Sequence, residues 1–156
     1  MKAGYEITTG AAVALSAATA KSILCVLSPA QFGIDIRQLR VGFDGVTASA
    51  VPVLIELCTS TAATNSTPGT NNTTATINQI YGRSITTGFT GFYNSTSEPT
   101  VLTPIDRWTL TPNGGLVIYD WPSDRTPDVA VSAGFVIRCT APAAVNVNAS
   151  LVFERC

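Results

Sequence analysis

Apolar residues in this chain recur mainly at a period of two, and Gly, Pro, Asn and Thr interrupt them every few positions. Strands are therefore the expected element almost throughout. Tyr5-Glu6-Ile7-Thr8 opens the first, and segment 21–27 (KSILCVL) is continuously apolar after its first residues. In 34–43 (IDIRQLRVGF), Ile34 and Ile36 alternate with Asp35 and Arg37, whereas Leu39, Val41 and Phe43 alternate with Gln38 and Arg40. The apolar set changes parity between the two halves, which a strand accommodates with a bulge or bend. Asp44-Gly45 then supplies turn chemistry. In 51–59 (VPVLIELCT), Val53, Ile55 and Leu57 take one face and Glu56 the other, while Pro52 confines the start to an edge or entry position.

Segment 60–76 lacks large apolar groups and reads as a long exposed loop, and Ile77, Ile80 and Tyr81 after it have the i, i+3, i+4 spacing of one helical turn. Gly and Phe alternate in 87–93. Segments 107–110 and 116–119 flank Thr111-Pro112-Asn113-Gly114-Gly115, a β-hairpin signal. Residues 121–127 read as a loop. In 134–140, Phe135, Ile137 and Cys139 share a face opposite Val136 and Arg138. The last run, 145–154, sets Val145, Val147, Ala149, Leu151 and Phe153 against Asn146, Asn148, Ser150 and Glu154, with Val152 out of pattern. Seven or eight short strands predict an all-β, two-layer antiparallel β-sandwich, jelly-roll or Greek-key-like, with long loops. Residues 1–10 are expected to form an N-terminal arm and 11–156 a single β-sandwich domain.

Composition narrows the function classes. A length of 156 residues suits one domain, and 46% hydrophobic against 12% charged residues excludes bulk disorder. A formal charge of −1 gives no general attraction to nucleic acid or an anionic membrane, and no apolar run reaches the roughly 20 residues of a membrane helix. His is absent, which removes His-based triads and imidazole bases. Segment 10–29 has the small-residue character of a signal peptide, but Glu6 precedes it and Ser and Thr interrupt it; a strand is the expectation, with the mature chain starting at Met1. Cys25, Cys58 and Cys139 sit in apolar runs and Cys156 ends the chain. With no C-x-x-C pair, buried free thiols are expected in preference to zinc or a disulfide framework.

Catalytic chemistry finds few carriers. Asp120, Asp124 and Asp128 lie four apart and could serve glycoside hydrolysis or calcium, yet no Asp-x-Asp-x-Asp-Gly order exists and Arg125 lies among them. A solvated turn with local Asp–Arg pairing is the expectation. Ser and Thr are plentiful without a partner base or a Gly-x-Ser-x-Gly elbow. The sequons at Asn65, Asn71, Asn72, Asn94 and Asn148 matter only in a glycosylating secretory route. No catalytic residue, metal or cofactor is assigned.

Aromatic and surface chemistry point elsewhere. Trp108 and Trp121 with Tyr119 could make a sugar-stacking platform, Trp108 being expected in the core and Trp121 nearer the surface. Sparse charge on a Thr-, Ser-, Asn- and Ala-rich surface makes desolvation inexpensive and favours permanent assembly. The arm is expected to join a neighbour's sheet edge. Tyr5, Ile7, Trp121 and Arg125 are the candidate partner-binding residues.

Segments 53–61 (VLIELCTST), 98–102 (EPTVL), 107–122 (RWTLTPNGGLVIYDWP) and 140–154 (TAPAAVNVNASLVFE) resemble small virion proteins of tailed bacteriophages, closest to capsid decoration, or cement, proteins. The resemblance covers about half of the chain. It implies a β-rich homotrimer on the virion's capsid surface, made in the host cytoplasm, that clamps the major capsid protein lattice without direct nucleic-acid or membrane contact. It carries no active-site residues. Where similar sequences place a Leu-Gly-Arg-Glu-Pro turn, this chain has Ser123-Asp124-Arg125-Thr126-Pro127. The other function expected is a carbohydrate- or receptor-binding domain of a phage fibre or tail tip, using Trp121 and Tyr119, with a small Asp-based hydrolase behind both.

Overall fold

The computed structural model describes residues 3–44, 51–61, 73–86, 88–99 and 101–156. The Gly45 half of the Asp44-Gly45 turn, most of the 60–76 loop with Asn65, Asn71 and Asn72, and the first two residues of the expected arm lie outside the described residues.

Two antiparallel sheets pack face to face. The first contains β1 (Gly4–Thr8), β2 (Val13–Leu15), β4 (Ile34–Asp44), β7 (Ile77–Tyr81), β10 (Val117–Asp120), β11 (Asp128–Val129) and β13 (Val145–Arg155), in the order β10-β4-β13-β1-β7, with β11 on β4 and β2 on β13. The second contains β3 (Ala20–Leu27), β5 (Val53–Thr61), β6 (Thr73–Thr74), β8 (Thr90–Tyr93), β9 (Leu102–Leu110) and β12 (Ala133–Thr140), in the order β6-β8-β3-β12-β5-β9. This is an all-β sandwich, and β5 starts directly after Pro52, which occupies the entry position. None of the described strands pairs with its neighbour in the chain.

The period-two faces close on one another. Val145, Val147, Ala149, Leu151 and Phe153 of β13 meet Val53, Ile55 and Leu57 of β5 and Phe135, Ile137 and Cys139 of β12 in one core. At its centre Phe89 packs edge-on against Phe153 (4.9 Å) and Tyr5 (5.3 Å). The parity change in β4 is a bulge: Val152 pairs with Gln38 and Phe153 with Ile36, leaving Arg37 as the extra residue.

Four expectations are corrected. Residues 4–8 are not an arm: β1 pairs with β13 on one side and β7 on the other, and Tyr5 and Ile7 are fully buried. Their apolar side chains fill this chain's own core, so they are unavailable to a neighbour's sheet edge. The turn of helix at 77–81 is the edge strand β7, where Ile80 is an extra residue in the pairing to β1, so spacing that mimicked a helix reflects a bulge. The 107–119 hairpin does not form, because β9 pairs with β5 in the second sheet and β10 with β4 in the first. A 3-10 turn at Pro112–Gly114 and Gly115, whose φ of 77° suits glycine, carry the chain across. Asp124 and Arg125 form an exposed turn, but among the described residues no ion pair joins Arg125 to the neighbouring carboxylates.

Cross-strand side chains lace the outer face of the first sheet. Arg37 pairs with Glu154 at 2.5 Å, and Tyr81 reaches across β1 to donate to the same carboxylate at 2.8 Å. Gly4 makes that reach possible, since a Cβ there would lie 2.0 Å from the Tyr81 ring. Arg40 on β4 meets Glu6 on β1 at 3.0 Å, so their pair arches over β13 and covers Val152, the outward residue of that strand which is nonetheless buried.

All four cysteines are free thiols, with Cys25, Cys58 and Cys139 buried and Cys156 exposed. Burial pushes the Cys25 thiol up to about 12 and that of Cys58 to about 11, and raises Cys139 as well. Burial and the bond to Glu154 push the Tyr81 phenol up to about 12. Two predictions follow from this packing. One thiol per chain is expected to react with a water-soluble disulfide reagent in the native state, and all four in denaturant. The folded chain keeps protons that the unfolded chain releases from the ordinary thiol value of 9.0 upward, so stability holds below that pH and falls as pH rises towards about 12. Urea melts across this range check the sign. The Tyr5 hydroxyl is buried with no hydrogen-bond partner among the described residues. Tyr5→Phe is therefore expected to raise stability by up to about 1 kcal/mol, whereas Tyr5→Ala costs about 3–5 kcal/mol.

Candidate functional site

The β4 bulge organises one side of the sandwich. β10 pairs along β4 from Val41 to Gln38, and Trp121 N–H then donates to the bulged Arg37 carbonyl at 3.1 Å. The chain leaves the sheet over 122–126, where Arg37 Nη1 donates to the Ser123 carbonyl at 3.3 Å. It returns where Ile36 N–H donates to the Pro127 carbonyl at 3.0 Å, before β11. An extra residue in β4 thus gives a loop on its edge the anchor it needs. Trp121 stands at the loop's root, half-buried, and Arg125 is exposed near its tip.

β10 and β9 are the terminal strands of the two sheets on this side. Trp108 of β9 and Tyr119 of β10 stack across the gap at 6.0 Å and 14°, and Trp121 tilts onto Tyr119 at 4.6 Å. The three rings close the core like a seam. Around them lies an apolar rim: Leu116 is 60% exposed, Ile118 52%, Ile105 46% and Tyr119 44%. Ile118 projects from the outer face of β10 beside Arg40, and β10 carries neither the Lys nor the Pro that commonly protects a free edge. Exposed aliphatic side chains gathered at strand edges of this kind mark interaction sites.

The four sequence-derived site residues are therefore not brought together. Tyr5 and Ile7 lie in the core, while Trp121 and Arg125 flank the rim. Leu116, Ile118 and Ile105 were not singled out by the sequence, because their alternation reads the same whether a face is covered or open. Asp120 accepts from Gln38 Nε2 at 2.5 Å, and all three loop aspartates are exposed. Among the described residues no group of three or more Asp, Glu or Cys could hold a metal.

The outer face of the second sheet is built differently. Glu56 is only 4% exposed, held by Arg107 at 3.0 Å and by Arg138 Nε at 2.7 Å. The hydrogen bond to Glu56 raises the Arg138 pKa further. Glu98, in the connection from β8 to β9, accepts from both the backbone N–H (2.6 Å) and the hydroxyl (2.8 Å) of Ser22 on β3. Next to these ions Cys25, Leu27, Cys58 and Val136 form a second buried apolar cluster with Phe92 and Leu102. The groups balance one another in charge, and the cluster serves to tie an outer connection to the sheet.

Comparison with protein-family models, with characterised proteins and with solved structures finds no match for this chain.

The two arginines bound to Glu56 differ in exposure, and a stability measurement separates them. Glu56→Ala is expected to cost roughly 2–3 kcal/mol, because it leaves Arg138 half-buried without its carboxylate. Arg107→Ala is expected to cost less than about 1 kcal/mol, since that side chain is largely solvated. Equilibrium urea denaturation of the two variants measures the difference.

Proposed function

We propose that this protein is a non-enzymatic structural component of a tailed-phage virion, a capsid decoration protein that works as a homotrimer on the major capsid lattice. The observation that carries the reading is the apolar rim of Leu116, Ile118, Ile105 and Tyr119 along two free strand edges. In a chain with only 12% charged residues and a net charge of −1, such a rim meets little electrostatic opposition to a second copy or to a neutral lattice. Segment 107–122, which carries part of the resemblance to decoration proteins, includes Leu116, Ile118 and Tyr119 of this rim, which supports the reading.

Sugar stacking on Tyr119 and Trp121 is the weaker reading. A ring must offer a bare face to a sugar, and Tyr119 is stacked by Trp108 with Trp121 tilted against it.

The test combines the solution mass with attachment to expanded empty capsids of the phage concerned. The expected result is a trimer that binds capsids, with binding lost in the Leu116→Lys, Ile118→Lys double variant while the thermal melt stays within a few degrees. A monomer that does not attach, or a double variant that binds as the parent does, contradicts the proposal.

A further inference from the structure

A groove of about 420 Å³ lies on the outer face of the first sheet, within the roughly 300–1,000 Å³ range of small-molecule sites. Its floor crosses three adjacent strands in register. Thr8 of β1 pairs with Ser150 of β13, which pairs with Arg40 of β4; one step along, Asn148 pairs with Gly42. Leu116, from the connection before β10, forms an aliphatic wall over Gly42. The hollow exists because residue 42 has no side chain. A Cβ there would meet nothing closer than the Leu116 Cδ1 at 3.7 Å.

The chemistry of this floor selects a ligand class by elimination. β13, which runs through the middle of the floor, is hydrogen-bonded to β4 on one side and to β1 on the other, while β10 pairs along β4 as far as Val41, with Leu116 continuing beside Gly42, and β7 pairs along β1 as far as Ile7. The main-chain groups of β13 are consumed there, so an extended peptide lying in the groove finds no edge on this strand. Recognition must therefore run through side chains. Arg40 already has Glu6 beside it at 3.0 Å, so the groove holds no net charge to attract an anion. Its guanidinium has five N–H donors, and Glu6 accepts a hydrogen bond from Nη1, leaving donors for an uncharged oxygen. A wholly apolar ligand would bury the Asn148 amide and the Thr8 hydroxyl without partners, at a cost of about 1–3 kcal/mol each. What remains is a neutral molecule with many hydroxyls, able to donate and accept, and with a C–H face for Leu116.

We infer that this groove is a saccharide-binding site for a neutral glycan, bordering the assembly rim at Leu116. Hydroxyl and amide side chains stand at the interstrand spacing of roughly 4.8 Å, so a sugar ring spans two of them at once. The inference does not depend on the decoration reading.

The test uses an array of defined neutral and acidic oligosaccharides, probed with the parent chain and with Gly42→Trp. The Gly42→Trp change fills the hollow from an outward position with room for a Cβ, and Asn148→Ala removes one polar partner without filling space. The expected result is retention of a set of neutral glycans, with binding reduced at least tenfold in Gly42→Trp and measurably in Asn148→Ala. Solution mass and capsid attachment should be unchanged in Asn148→Ala, which does not touch a rim side chain and so separates glycan binding from assembly. An array with no glycan retained, preference for acidic glycans, or equal binding by Gly42→Trp overturns the inference.

Discussion

The structure depends on the docking of β13 between β4 and β1. Ten residues of β13 pair along β4, five residues of β1 pair along its other side, and its inward apolar face closes the core against the second sheet. No described strand pairs with its chain neighbour, so no hairpin can form first and recruit the others. Every pairing requires closure of a long loop before any burial compensates its entropy, which places the chain among slow, cooperative folders. The C-terminal strand completes the first sheet, and the sandwich has no stable half without it.

The same constraint explains where function can sit. Strands paired on both sides leave only their outer side chains to a ligand, and this is the surface on which the Gly42 groove opens. Free edges occur where the sheets end. On the β7 side, Tyr81 binds Glu154 and the edge is bulged at Ile80. On the β9–β10 side, aromatic rings seal the gap and aliphatic side chains stay outside. The Arg37 bulge adds the 121–127 loop to that same side, so a single extra residue in β4 shapes the rim from which assembly is proposed.

Much of the sandwich was legible in the sequence because burial on one face imposes alternation. β5, β12 and β13 follow it with Glu56, Arg138 and Asn148 on the outer faces, and the parity change in β4 marked its bulge. β2, β6 and β11 escaped notice because two or three residues carry no period. The Asn113-Gly114 signal reports only that the chain turns; whether the flanking strands pair with each other is decided by distant partners. Tyr5 and Ile7 illustrate a deeper ambiguity, since an apolar strand that adds to its own sheet has the same pattern as one that adds to a neighbour's. The rim was illegible for a related reason: nothing local distinguishes an apolar residue beneath another layer from one left open. Likewise, Glu56 looked like a solvent residue, because its burial depends on arginines that lie far away in sequence.

Hydrogen–deuterium exchange of the parent chain, followed over a range of protein concentrations, tests most directly whether the rim is an assembly surface. The account predicts that amides of β9 and β10 become protected as concentration rises, while those of β7 keep exchanging at one rate and β13 remains the slowest throughout. Concentration-independent exchange along β9 and β10, or protection that grows at β7 instead, would contradict it.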